Sequence, residues 1–193
     1  MDKLMFQRYN ELLAAIDNLL VKGDAIVVLE GGSASGKTTL ADILQERYDC
    51  NVIHMDDFFL RPEQRTPERL SEVGGNIDRE RFFDEVLTPL KNNEVVRYRP
   101  FDCSKWALGE EIIAPPKRLT VIEGVYSMHP AFGEYYDLSA FLDISPEHQK
   151  ERILKRNSPS FAARFFDEWI PLENRYFSQT DIKSRVSIVI NVK

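Results

Sequence analysis

The sequence predicts an α/β fold, a five-stranded parallel sheet with helices on both faces. Two observations lead to this prediction. Short apolar runs rich in β-branched residues recur along the chain, and stretches with helical periodicity separate several of them. The first of these runs leads directly into a Gly/Ser-rich turn and then a helix. Strands that alternate with helices favour a mostly parallel sheet covered on both sides, and 193 residues suffice for a single domain over residues 1–193.

The predicted elements follow in order along the chain. Apolar residues at helical spacing predict an amphipathic helix over residues 3–21, and a second helix over 38–48 follows the Gly/Ser-rich turn. Asp78 and Ser145 are suited to cap helices that run to residues 87 and 156. The predicted strands are residues 25–29, 51–55, 119–123, 140–144 and 186–192.

Two stretches do not fit this alternation. Residues 94–114 contain two short extended runs around a polar, aromatic turn, which is typical of a hairpin insertion. Residues 157–180 carry five Phe/Trp residues and two prolines without a clear strand. Pro89 is expected to end a helix, because proline lacks the backbone N–H that continues the helical ladder.

The charge composition argues against some classes of binding partner. The chain has 25 Lys and Arg against 31 Asp and Glu, a net charge of −6, and no basic run, which argues against nucleic acid or an anionic membrane as the main partner. Two cysteines and no targeting or membrane segment lead us to expect a cytoplasmic protein. A small-molecule substrate is the expected partner, and a homo-oligomer is compatible with the sequence.

The strongest motif follows the first predicted strand and matches G-x-x-x-x-G-K-[ST], the phosphate-binding P-loop. Its backbone N–H groups point at a polyphosphate, the lysine reaches the terminal phosphates, and the threonine hydroxyl helps to hold Mg²⁺. ATP and Mg²⁺ are therefore the expected cofactors, in a P-loop NTPase fold. The predicted ATP-binding residues here are Gly31, Gly32, Ser33, Ala34, Ser35, Gly36, Lys37, Thr38 and Thr39.

Other motifs separate the classes of P-loop protein. The chain lacks the N-K-x-D motif of GTP-binding switches and the L-S-G-G-Q signature of transport ATPases. A chain of this length with added lid-like segments is typical of a small-molecule kinase. A nucleotide-binding regulatory protein without turnover is the competing class.

Acidic residues follow two of the predicted strands. Asp56 and Asp57 come after residues 51–55, and Glu123 ends the strand 119–123. Acids at the carboxyl ends of parallel strands lie on the ligand-binding edge, where the P-loop also lies. We expect Asp56 or Asp57 to activate the acceptor hydroxyl, and Thr38, Asp56 and Glu123 to lie at the metal.

The stretches GGSASGKTT, MDDFF, GGNIDRERF, VIEGVYSM and ERILKR, in this order, resemble the uridine kinase and phosphoribulokinase family of P-loop kinases, over about residues 25–157. The resemblance implies transfer of the ATP γ-phosphoryl group to a nucleoside 5′-hydroxyl. It implies that Asp56 activates the acceptor hydroxyl and lies near Mg²⁺, that Asp78 binds the ribose hydroxyls and that Glu123 acts with Mg²⁺. Lys37 and Arg152 are then catalytic, and Arg152, Lys155 and Arg156 belong to a lid, about residues 152–165, that clamps the phosphates.

The resemblance also implies which residues bind the acceptor. Phe59 belongs to the aromatic pair of the family, and Phe101 and Trp106 stand where the family has a tyrosine and a histidine that read the base. Apolar rings there discriminate poorly between bases, so another hydroxylated metabolite, such as a sugar phosphate or a pantothenate-like acid, is the alternative acceptor. Arg164 is the candidate for a further lid cation. Glu30 stands where a small residue is usual.

Five arginines lie between the second predicted strand and the helix after Asp78. They either recognise an anionic acceptor or belong to a surface whose charge is balanced by interleaved acids. These residues are Arg61, Arg65, Arg69, Arg79 and Arg81.

Overall fold

The computed structural model describes residues 3–192, and its strands include all five that the sequence predicts. In chain order the strands are β1 (Ala25–Glu30), β2 (Asn51–His54), β3 (Val96–Tyr98), β4 (Phe101–Asp102), β5 (Ala107–Leu108), β6 (Ile112–Ala114), β7 (Leu119–Glu123), β8 (Leu138–Ile144) and β9 (Ile188–Val192).

The main sheet has five strands in the order β2-β7-β1-β8-β9, and every neighbouring pair is parallel. β1 lies at the centre, between β7 and β8, with Ala25 opposite Leu119 and Val27 opposite Leu138. These strands are almost entirely apolar because both of their faces are buried. The predicted five-stranded parallel sheet is confirmed.

Helices cover both faces of this sheet. No helix within residues 3–192 is both long enough and apolar enough to cross a membrane. In chain order the helices are α1 (Lys3–Lys22), α2 (Lys37–Tyr48), α3 (Pro67–Ser71), α4 (Arg79–Phe82), α5 (Thr88–Lys91), α6 (Pro146–Arg156), α7 (Pro159–Arg164), α8 (Ile170–Thr180) and α9 (Ile182–Arg185).

Two hydrophobic cores result, one on each face. Leu12 of α1 and Leu44 of α2 pack with Val27 on the first face. Val28, the next residue of β1, packs with Phe82 of α4 on the second face. Successive side chains of a strand point to opposite sides, so one apolar run supplies both cores.

The segment 94–114 forms the predicted hairpin insertion. β3 pairs antiparallel with β6, and β4 pairs antiparallel with β5 nearer the tip. Tyr98 and Phe101 are buried at its base, whereas Trp106 at the tip has 55% of its surface exposed.

The helical runs after Asp78 and after Ser158 continue further than their prolines predict. A π-helical turn over Phe83–Leu87 links α4 to α5, and another over Phe165–Trp169 links α7 to α8. Each turn is followed by a helix with proline at its second position, Pro89 or Pro171. The expectation that Pro89 ends a helix is wrong, because the wider hydrogen-bond spacing of the π turn accommodates a residue that cannot donate.

Candidate active site

The P-loop and the two acidic positions meet at one edge of the sheet. The loop follows β1, Asp56 follows β2 and Glu123 ends β7, and these three strands are neighbours in the sheet. A cleft of about 510 Å³ opens at this edge. It is lined by Ser33, Ala34, Gly36, Lys37, Thr38, Thr39, Asp56, Phe59, Asn76, Cys103, Glu123, Gly124, Val125, Tyr126, Arg152, Arg156, Phe161, Phe165, Trp169 and Glu173.

The loop turns sharply away from β1. Gly31 has φ 141°, and a Cβ there would lie 2.6 Å from the carbonyl oxygen of Leu142, so only glycine fits without strain. Lys37 Nζ crosses the loop and donates to the carbonyl oxygens of Gly31 and Gly32, at 2.7 and 3.0 Å. The lysine ammonium is therefore held inside the curve of the loop.

α2 begins at Lys37 and adds further donors. Its N-cap, Gly36, provides no side-chain hydrogen bond. The first backbone N–H groups of a helix lack partners within the helix, and the helix dipole adds positive potential there. This donor set fits the phosphates of a nucleotide.

Thr38 and His54 both contact Glu123. Thr38 Oγ1 donates to Glu123 Oε1 at 3.0 Å, and His54 Nδ1 lies 2.7 Å from the same oxygen. Burial favours the neutral form of Glu123, but the His54 hydrogen bond and the charge of Lys37 outweigh it and hold the pKa of Glu123 below its usual value. The same hydrogen bond raises the pKa of His54. Glu123 is thus kept as a carboxylate at the centre of the site.

Asp56 and Asp57 face different surroundings. Asp56 lines the cleft, where desolvation by the surrounding protein and the charge of Glu123 raise its pKa to about 6. Asp57 Oδ2 instead accepts a hydrogen bond from Tyr98 OH at 3.0 Å, and Asp57 is not among the residues that line the described cleft. The geometry favours Asp56 over Asp57 as the acid that meets an acceptor hydroxyl.

Oxygen groups suited to Mg²⁺ lie next to the loop. Thr38, Asp56 and Glu123 all line the cleft, and hydroxyl and carboxylate oxygens are ligands that Mg²⁺ prefers. Within residues 3–192 no cluster of three or more His, Cys, Asp or Glu side chains is arranged to hold a metal. One hydroxyl and two carboxylates fit Mg²⁺, which usually binds one or two carboxylates together with water and substrate phosphates.

The helices after β8 form the opposite wall of the cleft. Arg152 of α6 lines it and donates to the carbonyl oxygen of Ala34 at 3.1 Å. Arg156 also lines it, with its guanidinium 5.6 Å from the ring centre of Phe165. The predicted lid is thus the end of α6, a break at Asn157 and α7, and it faces the P-loop.

Some predicted acceptor residues lie elsewhere. Of these, Phe59 lines the described cleft, but Asp78, Phe101, Trp106 and Arg164 do not. Asp78 is fully buried and caps α4, its Oδ1 accepting from Arg81 N at 3.1 Å. Arg164 pairs with Glu168 on the outer surface. The roles predicted for these four residues stay predictions.

Four of the five arginines pair with nearby acids. Arg61 lies 3.5 Å from both Glu63 and Asp78. Arg69 contacts Glu80 at 2.8 Å, and Arg81 contacts Glu85 at 2.7 Å. Arg79 pairs with Glu72. These contacts favour the charge-balanced interpretation of this cluster over an anion-binding one.

The structure explains Glu30, which the sequence analysis left without a role. Its side chain is fully buried at the end of β1, where Oε1 accepts from Gly31 N and Oε2 from Met128 N, both at 3.1 Å. Tyr176 OH of α8 donates to Oε2 at 3.1 Å. Glu30 therefore joins the start of the P-loop, the segment after β7 and α8.

Two functional contacts escaped the sequence analysis. His54, to which the sequence analysis assigns no role, contacts Glu123; its position at a strand end beside two acids was the available signal. Glu173 of α8 lines the cleft and contacts Ser33 of the P-loop, a pairing that no local pattern indicates.

Known proteins similar to this chain agree with the motifs. No protein-family model matches the chain. The uridine kinase of Chlamydia pneumoniae is 29% identical over 144 residues, which cover 68% of this chain and 61% of that protein. The uridine kinase of Geobacillus kaustophilus is 24% identical over 178 residues, 82% of each chain.

A solved structure of a possible uridine kinase from Bacillus stearothermophilus is similar in fold. Its TM-score is 0.66 at 20% sequence identity, over 93% of this chain and 99% of that one. This likeness confirms the α/β P-loop fold. In sequence, fold and the order of its motifs, the chain is thus similar to uridine kinases.

Proposed function

We propose that this protein transfers the γ-phosphoryl group of Mg·ATP to a hydroxyl group of a small molecule, most simply a nucleoside, and forms the 5′-monophosphate. The observation that carries the proposal is the convergence of Lys37, Thr38, Asp56 and Glu123 on one cleft. The similarity to uridine kinases supports a nucleoside acceptor.

The residues divide the work of the reaction. In this proposal Lys37 and the N–H groups at the start of α2 neutralise phosphate charge, and Arg152 does so from the opposite wall. Bound Mg²⁺ would supply further charge neutralisation to the phosphates, with Thr38 and Glu123 as the protein groups nearest to hold it.

In this proposal Asp56, which lines the cleft, accepts the proton of the acceptor hydroxyl. As the acceptor oxygen forms its bond to the γ-phosphorus, the bond to the leaving ADP oxygen breaks and the hydroxyl proton passes to the Asp56 carboxylate. A pKa of about 6 leaves Asp56 largely ionised near neutral pH yet basic enough to accept a proton.

Aromatic and polar side chains both line the cleft. Phe59, Phe161, Phe165 and Trp169 contribute rings, and Asn76 and Tyr126 contribute polar groups. The arginines near the acceptor side are mostly paired with acids, which makes a sugar phosphate a poorer fit than a nucleoside.

The test is ADP release with Mg·ATP against nucleosides, sugar phosphates and pantothenate. Turnover with uridine or cytidine supports the proposal. Turnover with a non-nucleoside alone supports the kinase activity and contradicts a nucleoside as the acceptor. ATP binding without turnover across the panel contradicts the kinase and favours the regulatory class.

A further inference from the structure

A carboxylate from the C-terminal part of the chain occupies a backbone donor of the P-loop. Glu173 Oε2 accepts from Ser33 N at 2.9 Å, and Glu173 Oε1 accepts from Ser33 Oγ. The Glu173 side chain is 4% exposed and lines the cleft. An acid 140 residues away in sequence thus uses a loop N–H group inside the proposed nucleotide site.

A second side chain, that of Gln149, contacts the P-loop beside Glu173. Gln149 Nε2 of α6 donates to the carbonyl oxygen of Ser33 at 2.9 Å, so both backbone polar groups of Ser33 have partners from these helices. A Cβ on Gly32 would lie 2.9 Å from Gln149 Nε2 and 3.4 Å from Glu173 Oε2. The loop therefore has glycine where the side chains of α6 and α8 approach it.

The Glu173 carboxylate competes with the phosphates of a nucleotide for the same hydrogen-bond donor. Carboxylate and phosphate oxygens are both anionic acceptors and seek the same N–H donors. In a cleft with little water, two such anions at one donor repel each other strongly. The charge of Lys37 also acts on Glu173, so the carboxylate partly balances that lysine when no phosphate is bound.

We propose that Glu173 is a positioning residue that keeps the empty P-loop in its binding shape and is displaced from Ser33 by the phosphates of an incoming nucleotide. This inference rests on the proposed function, because it assumes that ATP binds at the loop. Its consequence is a lower affinity for ATP than the loop alone would have.

The displacement need not detach α8 from the loop. Tyr176, three residues after Glu173, donates to Glu30, which in turn accepts from Gly31 N. This second link stays intact when Glu173 leaves Ser33. The change is therefore confined to the start of α8 and to Trp169, which lines the same cleft.

The test is the affinity for Mg·ATP, measured by calorimetry for the wild type and for Glu173→Gln. Glutamine keeps the shape and removes the negative charge, so we expect the dissociation constant to fall by about tenfold, equivalent to about 1.4 kcal/mol. Asp167→Asn is the matched control, because it removes one exposed charge from the same helical segment without touching the P-loop. It should leave the affinity unchanged.

The outcomes separate the two proposals. Weaker or unchanged ATP binding in Glu173→Gln, with a wild type that binds ATP, overturns the inference and leaves the kinase proposal standing. Failure of both proteins to bind ATP overturns the proposed function itself. A residue with only a structural role would weaken binding when replaced, so the sign of the change is decisive.

A measurement on the wild type covers the case in which Glu173→Gln does not fold. The carbon-13 resonance of the Glu173 carboxyl group reports its hydrogen bonds to Ser33. We expect this resonance to shift when Mg·ATP is added. An unshifted resonance at saturating ATP overturns the inference.

Discussion

His54 Nδ1 and Glu123 Oε1 lie 2.7 Å apart, so the last residues of two adjacent strands, β2 and β7, share one contact beside Thr38. The contact raises the pKa of His54 and helps to lower that of Glu123. The stability of the sheet edge and the charge state of the proposed metal-binding acid are therefore linked.

The first prediction concerns the pH dependence of this pair. His54 has a raised pKa in the folded state, so its contribution is complete below its ordinary value of 6.5 and is lost as the pH rises through the raised value. We expect His54→Asn to lower the free energy of unfolding at pH 6 and to have less effect at pH 9. Because His54 is partly exposed, the effect should be at most about 1 kcal/mol.

Urea denaturation of the metal-free proteins at both pH values measures this, and exposed His148→Asn is the control. A His54→Asn effect that grows from pH 6 to pH 9 would contradict the ionised pair.

The second prediction separates Asp56 from Asp57. Asp56→Asn removes the proton acceptor in the cleft and should lower kcat by about 10²-fold or more while ATP still binds. Asp57→Asn alters the acceptor for Tyr98 OH and should mainly lower stability, by about 1 kcal/mol. Steady-state kinetics and calorimetric ATP binding measure both variants. Equal losses of kcat in the two variants would contradict the assignment of the catalytic role to Asp56 rather than Asp57.

The third prediction tests Asp78 as a ribose-binding residue apart from its role as a helix cap. Asp78→Ala loses the cap of α4 and should destabilise the protein by about 1 kcal/mol, whereas Asp78→Asn retains a capping oxygen and should not. If Asp78 binds a nucleoside diol, both variants raise KM for that nucleoside, by about tenfold or more. Melting curves measure the capping role and KM values measure the ribose-binding role. An unchanged KM in Asp78→Asn would show that Asp78 acts only as the cap of α4.

The fourth prediction follows from Glu30. Burial raises its pKa from 4.5 to about 7, so the folded state holds a proton that the unfolded chain releases over this range. Stability should therefore fall as the pH rises from 5 to 8, by up to about 3 kcal/mol from this one group.

Glu30→Gln has no proton to lose, so its unfolding free energy should change less with pH, although it is lower throughout because the amide matches its donors less well. Urea denaturation from pH 5 to pH 8 compares the slopes, with exposed Glu46→Gln as the control. Identical slopes in Glu30→Gln and the wild type would show that Glu30 does not titrate here.

The elements of the sheet were predictable because their signals are local. The runs at β1 and β7 are apolar over consecutive residues, since both faces of each strand are buried, and Asp78 and Ser145 cap the helices that the sequence assigns to them. The continuation of the helical run beyond Leu87 into α5 was missed, because the π-helical turn that accommodates Pro89 has no clear local sequence signal.

The site was predictable only where one motif or one strand end supplies the residue. Lys37 and Glu123 belong to this group. Glu173 does not, because its contact with Ser33 depends on how α8 packs against the loop. The same limit applies to Glu30, whose partners Met128 and Tyr176 come from distant segments. Long-range packing decides these contacts, and a single sequence does not record it.

The central position of β1 has a consequence for how the protein loses its site. Both edges of β1 are hydrogen bonded, to β7 and β8, so its amides are protected from exchange with solvent until the sheet itself opens. The P-loop follows this strand, and Glu123 is the last residue of β7, the strand beside it. Heat or denaturant should therefore abolish ligand binding and the protection of these amides together, in one cooperative step.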